Sequence, residues 1–289
     1  MEYILHLLVL IGIYLILAQS LNLAFGLGLL FNLAHIASYA IGAYTTALMS
    51  TEFESSFFYC IVSSMLLSGF FSILIGAISL RLSNDYFAIG TLAFSSLVGA
   101  LLVNWRSLTR GVLGIPGIPR PTVFNYSIYS TKSFLFLTLT LAFLTMTMLY
   151  FFFRNSFARR LRAQGEFNQA ALALGSDTRL VRVMCFFISS MFAGLAGSLF
   201  AYYLQYIDPS SFSLNEMFFV LTIVVVGRLG SFWGCIAATV FLVLLPEPLR
   251  FLSLPASVLG PLRQALHALI LFIVVYINRA KLFPVQRTI

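Results

Sequence analysis

Side chains that commonly carry acid–base chemistry are few in this 289-residue sequence, and they lie at the edges of its apolar runs. A proton-coupled carrier usually needs a carboxylate inside the membrane, because that group binds and releases the proton. None of the nine carboxylates looks buried in the middle of an apolar run, which argues against proton coupling. They are Glu2, Glu52, Glu54, Asp85, Glu166, Asp177, Asp208, Glu216 and Glu247.

Motifs for nucleotide binding and hydrolytic chemistry are absent. The sequence has no G-x-x-x-x-G-K-[ST] stretch, so it cannot cradle ATP by itself. It also lacks a Ser-His-Asp order and an H-E-x-x-H pattern, which argues against a membrane protease. Cys60, Cys185 and Cys235 lack metal-ligand spacing and are interpreted as packing residues. We expect no catalytic residue, no metal site and no cofactor in this chain.

Three polar residues near the N-terminus interrupt apolar sequence: Asn22, Asn32 and His35. Each has two interpretations, either a hydrogen-bonded packing residue or part of the wall of a substrate path. A path of small and weakly polar residues, with energy supplied from outside the chain, fits the lack of intramembrane carboxylates. The three residues are therefore candidates for a translocation path.

The composition indicates a membrane protein. Hydrophobic residues make up 60% of the sequence and charged residues 9%, and the mean hydropathy is +0.98. A soluble domain could not hide that much apolar surface from water. Because the apolar runs are long enough to cross a bilayer as helices, we predict an all-α polytopic membrane protein in contact with lipid. Its positive charges are too dispersed for a nucleic-acid surface, so no nucleic-acid partner is expected.

Nine apolar runs are predicted to span the membrane, some of them short or broken, within a single transmembrane domain that covers residues 1–289. A tenth stretch, residues 21–33, is shorter and more polar and is left open. The nine runs lie at about 3–18, 35–49, 57–80, 86–103, 134–153, 183–204, 217–226, 232–245 and 262–277.

Small residues recur at every fourth position in two of these runs, and such stripes let another helix approach closely. The stripes are Ala34, Ser38, Gly42 and Thr46 in one run and Ser189, Ala193, Gly197 and Ala201 in the other.

The stretch Arg154–Arg182 is the only long polar interruption of the apolar sequence. It holds six arginines against two acidic residues, six minus two giving +4, which is half of the formal net charge of +8. Cytoplasmic loops retain Lys and Arg, so the stretch is predicted to be cytoplasmic. Within it, Phe167–Leu174 is predicted to be helical, Gly175 to end that helix and Asp177 to cap the next. The residues alone leave open whether this loop only anchors the topology or docks a soluble partner.

Residues 104–132 form a long loop, rich in Gly and Pro, that is predicted to be external. The same topology puts Glu54 outside, Gln164 inside and the C-terminus in the cytoplasm, and leaves the side of the N-terminus open. Four basic residues count against the external placement of this loop: Arg106, Arg110, Arg120 and Lys132.

Taken together, several segments resemble the LivM-type permeases of branched-chain amino acid uptake, which are membrane subunits of ATP-binding-cassette importers. The segment Leu21–Asn22–Leu23 with Ala34–His35 and Gly42–Ala43–Tyr44 is similar to that family's N-L…G-H…G-A-Y pattern, with Ala34 in place of a Gly. The segment Asp85–Ile89 followed by Thr91–Leu92 is similar to its D-Y-x-A-I-x-T-L turn.

The external loop and a later glycine run carry the resemblance further. The loop follows the pattern T-x-G-x-x-G-I-x-G-I-P, although Arg110 and Val112 stand where the family has Gly and Pro. The later run follows G-G-x-G-S-x-x-G, with Arg228 in place of a Gly. The matching residues are Thr109, Gly111, Gly114, Ile115, Gly117, Ile118 and Pro119 in the loop, and Gly227, Gly230, Ser231 and Gly234 in the run.

The basic stretch resembles the family's coupling region, whose pattern is roughly E-D-E-x-A-A-x-A-L-G. Phe167 and Asn168 replace an acidic pair of that pattern. The resemblance implies that this helix docks in a groove of a cytoplasmic ATPase. The fitting residues are Glu166, Ala170, Ala171, Ala173, Leu174 and Gly175.

The resemblance also implies partners and a place. It implies a fold like that of type II ATP-binding-cassette importers in the bacterial inner membrane. A second homologous permease subunit, cytoplasmic ATP-binding subunits that use the ATP, and an extracytoplasmic substrate-binding protein would complete the assembly. The expected substrate is a branched-chain or other neutral amino acid. Urea, a short amide or a sugar is the alternative within the superfamily, and an autonomous channel or secondary carrier is the alternative of a different class.

Overall fold

Long helices dominate the protein, because apolar segments in a bilayer must satisfy their backbone hydrogen bonds internally. A computed structural model describes residues 2–79, 82, 84–123, 126–173, 175–252 and 255–277. The helices are α1 (Glu2–Leu21), α2 (His35–Thr51), α3 (Phe57–Ser79), α4 (Asn84–Asn104), α5 (Arg106–Thr109), α6 (Thr131–Arg154), α7 (Ser156–Glu166), α8 (Asn168–Ala173), α9 (Thr178–Leu204), α10 (Leu214–Val226), α11 (Phe232–Leu244) and α12 (Ala256–Ile277).

Short elements connect these helices. The strands have two residues each: β1 (Ile115–Pro116), β2 (Thr122–Val123), β3 (Tyr126–Ser127) and β4 (Tyr206–Ile207). β1 pairs antiparallel with β4, and β2 with β3. One π-helix (Asn22–Leu27) and three 3₁₀ turns (Gly111–Leu113, Pro209–Phe212 and Glu247–Leu252) complete the described elements. The predicted all-α polytopic class is confirmed.

Eight of the described helical segments are long and apolar enough to cross a membrane. α2 has 17 residues, the lower end of the range for a spanning helix, and twelve of them are buried. Residues 21–33 form no separate helix, because the first part of this stretch continues α1 as the π-helix and the rest is largely irregular. The predicted cytoplasmic C-terminus falls on residues 278–289, outside the described part of the chain.

The two small-residue stripes lie where α2 packs against α9. A Cβ atom built on Gly42 would lie 2.3 Å from the carbonyl oxygen of Gly194, and one on Gly197 would lie 2.1 Å from that of Tyr39. Ser38 Oγ donates to Ser190 Oγ at 3.0 Å across the same contact. The prediction that these stripes let another helix approach is confirmed.

α1 runs through the centre of the molecule beside α6, α9, α10 and α11. Its Gly12 lies against Thr138 of α6, since a Cβ atom at Gly12 would be 2.9 Å from the Thr138 methyl group. On another side, Ser189 Oγ of α9 donates to the carbonyl oxygen of Ser20 at 2.6 Å. α12 lies at the periphery, packed mainly on α10.

Candidate functional site

The polar stretch between α6 and α9 folds into two helices, α7 and α8. Only α8 was predicted; the structure begins it at Asn168 and ends it at Ala173. Gly175 has a φ of +75°, a left-handed conformation that suits glycine and ends a helix. Asp177 caps α9, accepting hydrogen bonds from the backbone N–H groups of Arg179 and Leu180 at 3.1 Å each. The predicted stop and cap are therefore confirmed.

The residues predicted to couple the chain to an ATPase differ in their exposure to solvent. Glu166, the last residue of α7, is exposed, whereas Ala171 is 4% exposed and faces its own chain. Phe167 and Leu172 are 73% and 52% exposed, which is unusual for large apolar side chains in so polar a segment. Of the remaining candidates, Ala170 lies in α8, Gly175 follows it and Leu174 is outside the described residues.

α7 packs this segment against the end of the π-helix that follows α1. Leu161 is buried and lies against Gly28, since a Cβ atom at Gly28 would be 3.1 Å from Leu161 Cδ1. Gly165 lies over the same point, with its Cβ position 2.9 Å from the carbonyl oxygen of Gly28. Gln164 is 3% exposed. The polar segment is thus in direct contact with the transmembrane part of the chain.

The three candidates for the translocation path are all buried in the structure, at 3% exposure or less. His35 Nε2 lies 3.0 Å from Ser20 Oγ and 3.2 Å from the carbonyl oxygen of Leu17. Asn32 Oδ1 accepts from the backbone N–H of Ala34, at the start of α2. Each makes hydrogen bonds inside the bundle, and their role in a path stays a prediction.

Asn22 holds a distant backbone segment. Its Oδ1 accepts from the N–H of Gly230 at 3.0 Å, and its Nδ2 donates to the carbonyl oxygen of Ser231 at 3.1 Å. Gly26 leaves room for this contact, because a Cβ atom there would be 2.4 Å from Gly230 N. The amide thus joins the π-helix after α1 to the turn between α10 and α11. π-helical turns are rare and occur often at functional sites.

The external-loop candidates shape a turn that is tied to the end of α9. Thr109 is 3% exposed, and its hydroxyl oxygen lies 2.7 and 2.8 Å from the carbonyl oxygens of Leu102 and Trp105, which share its one hydrogen. Gly114 has a φ of +67°, and a Cβ atom there would lie 2.2 Å from the carbonyl oxygen of Ile207. The β1–β4 pairing therefore needs glycine at this point. Gly111 and Gly117 also have positive φ angles.

Asp208, beside this pairing, caps the 3₁₀ turn that follows it. Partial burial raises the pKa of this carboxyl, but hydrogen bonds from Ser210 and Ser211 outweigh it and leave the pKa below its ordinary value. The carboxylate therefore stabilises the turn in its charged form at neutral pH.

Two departures from the family pattern lie in left-handed backbone. Arg110 and Arg228, each in place of a Gly, have φ angles of 59° and 69°. The third position at which a glycine of the pattern is replaced, Ala34, has a φ of −78°, which any residue adopts. The pattern's glycines at the two arginine positions thus have a conformational reason, and the one at Ala34 does not.

Glu216 is a residue that the sequence interpretation missed. It lies in the first turn of α10, and its carboxylate accepts a hydrogen bond from the Tyr14 hydroxyl. Tyr14 is in the middle of the Glu2–Leu27 span, so this carboxylate lies inside the membrane-spanning region. The prediction that no carboxylate lies there is wrong. The signal that was missed is the length of α10. Its 13 residues span about 20 Å, which is less than the thickness of the hydrocarbon core. If the C-terminal end of α10 reaches one membrane surface, its first turn, with Glu216, must lie below the other surface.

Known proteins match this chain over most of its length. The family described as "Branched-chain amino acid transport system / permease component" matches residues 3–277. The "High-affinity branched-chain amino acid transport system permease protein LivM" of Escherichia coli (strain K12) is 35% identical over 261 residues, covering 82% of this chain and 61% of that protein.

The protein of the same description from Salmonella typhimurium is 36% identical over the same shares of both chains. The chain thus spans about three fifths of the length of the curated relatives it matches. No solved structure matches it. Because the family match covers nearly the whole sequence, this multi-pass membrane protein belongs to the family of branched-chain amino acid transport system permease components.

Proposed function

We propose that this chain is the permease subunit of an ATP-binding-cassette importer that moves branched-chain or other neutral amino acids across a bacterial inner membrane. It forms half of a pore, and a second homologous permease subunit completes it. Cytoplasmic ATP-binding subunits use the ATP, and an extracytoplasmic binding protein delivers the substrate. Membership of the family and the descriptions of the two relatives support this proposal.

The observation that carries the proposal is the geometry of α7 and α8. Phe167, directly before α8, and Leu172 within it both point outward, as the apolar side chains of a segment that docks in an apolar groove of a partner would. α7, the helix before α8, rests on Gly28 at the end of the π-helix that follows α1. A partner that grips α8 and changes shape would therefore displace α7, and with it the π-helix and the Asn22 contact. This is a route by which ATP hydrolysis outside the chain can act on its spans.

The charge of this segment supports its placement. Arg159, Arg160 and Arg162 on α7 are exposed, and loops with such charge are retained in the cytoplasm. The missing acidic pair, replaced by Phe167 and Asn168, means that the docking contact is more apolar here than the family pattern implies. We infer that the partner ATPase offers an apolar pocket at this point.

Uptake in reconstituted vesicles tests the proposal. The permease assembly is reconstituted with its ATPase and binding protein, and accumulation is measured for leucine, isoleucine and valine, for urea and acetamide, and for ribose. We expect accumulation of the branched-chain amino acids that needs both ATP and the binding protein. Accumulation without ATP would assign the chain to the channels or secondary carriers instead. ATP-dependent accumulation of only urea or ribose would overturn the assignment of amino acids as the substrate.

A further inference from the structure

A cavity of about 470 Å³ lies at the end of the bundle opposite α7 and α8. The turn between α2 and α3 forms one wall, and residues 116–122 of the external loop form another. α6 and α9 each run from the neighbourhood of this cavity to the polar segment, so the two sites lie at opposite ends of these helices. The volume is in the range of small-molecule sites, about 300–1,000 Å³.

The two walls carry opposite charges. Glu54 contributes to the wall at the α2–α3 turn, and Arg120 to the wall from the external loop. The two form no ion pair within 4.0 Å, as far as the described residues show, so the carboxylate and the guanidinium do not neutralise each other directly. Serine and threonine hydroxyls, including those of Ser50 and Thr122, line the space, while Phe57 and Tyr202 add aromatic surface.

Arg120 has unused hydrogen-bonding capacity. Its Nη1 atom is buried and finds no partner among the described residues. Its guanidinium lies over the ring of Phe134, with Cζ 5.9 Å from the ring centroid, and this contact holds the side chain without using its N–H donors. Because Nη1 itself has no accessible surface, a ligand in the cavity would be held by the positive charge of the guanidinium as a whole and not by this donor.

Glu54 is held in an unusual backbone conformation. Its φ is 46°, in the left-handed region where residues other than glycine are uncommon. The adjacent turn is fixed, because Ser55 N donates to the carbonyl oxygen of Met49 at 3.0 Å. The side chain is exposed, so its carboxylate is available to a ligand in the cavity. Strained backbone of this kind is found often at ligand sites.

We propose that this cavity binds a free α-amino acid as a zwitterion, with Glu54 facing the ammonium group and Arg120 facing the carboxylate. The aromatic and proline surfaces of the cavity cover the side chain. The proposal rests on the proposed function, since it names where the imported amino acid is held at the external end of the chain. It requires both charges of the ligand, and this separates it from a general apolar pocket.

Protection from thiol modification tests the site directly. Thr122 is exposed at the cavity wall, and Thr122→Cys gives a probe for an impermeant thiol reagent in the full permease assembly in nanodiscs. The competing ligands are leucine, 4-methylpentanoate, which lacks the ammonium group, and leucinamide, which lacks the carboxylate. We expect leucine to slow the modification at concentrations at least tenfold below those of either analogue, since a charge-assisted hydrogen bond contributes about a factor of ten or more.

Two charge-removing variants then assign each end of the ligand. Glu54→Gln should raise the half-protecting concentration of leucine about tenfold but leave that of 4-methylpentanoate unchanged. Arg120→Gln should likewise raise the half-protecting concentration of leucine about tenfold and leave that of leucinamide unchanged. The matched controls are Glu52→Gln and Arg106→Gln, which remove exposed charges from the same two segments but do not line the cavity. In both controls, leucine should protect the cysteine at position 122 at the same concentration as in the parent.

Three results would overturn the site: equal protection by all three compounds, no protection by leucine, or an unchanged leucine concentration in Glu54→Gln. Lost uptake in Glu54→Gln with normal protection would likewise overturn it and assign the charges to docking of the binding protein. Failure of the proposed function shows separately, as absent ATP-dependent amino acid uptake by the unmodified assembly. If leucine still protects Thr122→Cys in that case, the site stands and the transport assignment does not.

Discussion

Asn22 accepts a hydrogen bond from the backbone N–H of Gly230, 3.0 Å away, although 208 residues separate them in sequence. The same amide donates to the carbonyl oxygen of Ser231. One buried side chain therefore satisfies two backbone groups of the turn between α10 and α11, and it fixes the distance between that turn and the π-helix after α1. No single-residue substitution for Asn22 keeps both bonds with the same reach.

Asn22→Ala should lower the stability of the purified protein by about 1–3 kcal/mol, because it leaves buried backbone groups unpaired. The measurement is the midpoint of thermal unfolding in detergent, followed by loss of the monodisperse chromatographic peak. Asn32→Ala is the matched control and should cost about 1 kcal/mol or less, since the bond that Asn32 makes within the described part of the chain is a local one from the Ala34 N–H. Equal midpoints for Asn22→Ala and the parent would show that the contact carries no stability.

Gly42→Ala should disrupt the packing of α2 on α9, because even one methyl group at Gly42 would overlap the Gly194 backbone. We expect a clear loss of folded protein, since overpacking of this kind costs about 1–3 kcal/mol or more. Gly99→Ala is the control: it lies in α4, and a Cβ atom there meets nothing within 4 Å. The yields of membrane-inserted, monodisperse protein are compared. Similar yields for the two variants would contradict the tight α2–α9 contact.

Arg110→Gly and Arg228→Gly should each stabilise the protein by about 1 kcal/mol, because both arginines occupy left-handed backbone that costs a side-chain-bearing residue about 1–2 kcal/mol. Arg106→Gly, in helical backbone, should destabilise by a similar amount. Thermal unfolding midpoints of the three variants provide the comparison. A fall in midpoint for both left-handed positions would mean that the arginine side chains themselves hold the turns together.

Ala171→Pro should abolish uptake and stimulated ATPase activity while leaving the spans inserted. Proline inside a helix costs about 3 kcal/mol or more, and here it removes the bond from Ala171 N to the carbonyl oxygen of Phe167 at 3.1 Å. Asn168→Pro is a close control, because the first residue of a helix tolerates proline and Phe167 before it, with φ −144° and ψ 83°, is not helical. Uptake and ATPase activity are normalised to permease content. Normal coupling in Ala171→Pro would reduce this segment to a topology anchor.

The topology prediction needs a different probe residue from the one that the sequence suggests. Gln164 is 3% exposed, so a cysteine there would resist labelling on either side of the membrane. Arg162 on the same helix is exposed, as is Glu52 at the other end of the bundle. In intact cells, an impermeant thiol reagent should label Glu52→Cys and spare Arg162→Cys until the membrane is opened. The reverse pattern would invert the topology.

Most of the helices could be predicted from the sequence because apolar length and small-residue spacing are local signals. The Gly42 and Gly197 stripes are an example: residues four apart on a helix share a face, so the tight contact with another helix follows from spacing. Which helix makes the contact does not follow, since the pairing of α2 with α9 depends on the whole bundle.

Features that depend on contacts across the chain were missed. The sequence of α7 is polar and resembles a loop. The contact with Gly28 shows that its buried Leu161 packs the helix against the transmembrane part of the chain. Glu216 looks like the edge of an apolar run, and its position inside the bundle appears only when Tyr14 is placed beside it. The cavity between Glu54 and Arg120 joins residues that are 66 positions apart, so no local pattern could indicate it.

α9 is a continuous helix of 27 residues, about 40 Å long. Its first turn is capped by Asp177, next to α8. After its last turn, strand β4 pairs with strand β1 of the loop at residues 104–132. The helix is therefore a rigid lever between the two ends of the molecule. A tilt of about 5° at the α8 end would carry the far end by about 3.5 Å, slightly more than the length of one hydrogen bond. The wall that holds Arg120 belongs to the loop fastened there, so the lever links the cavity mechanically to the helix that a partner would grip.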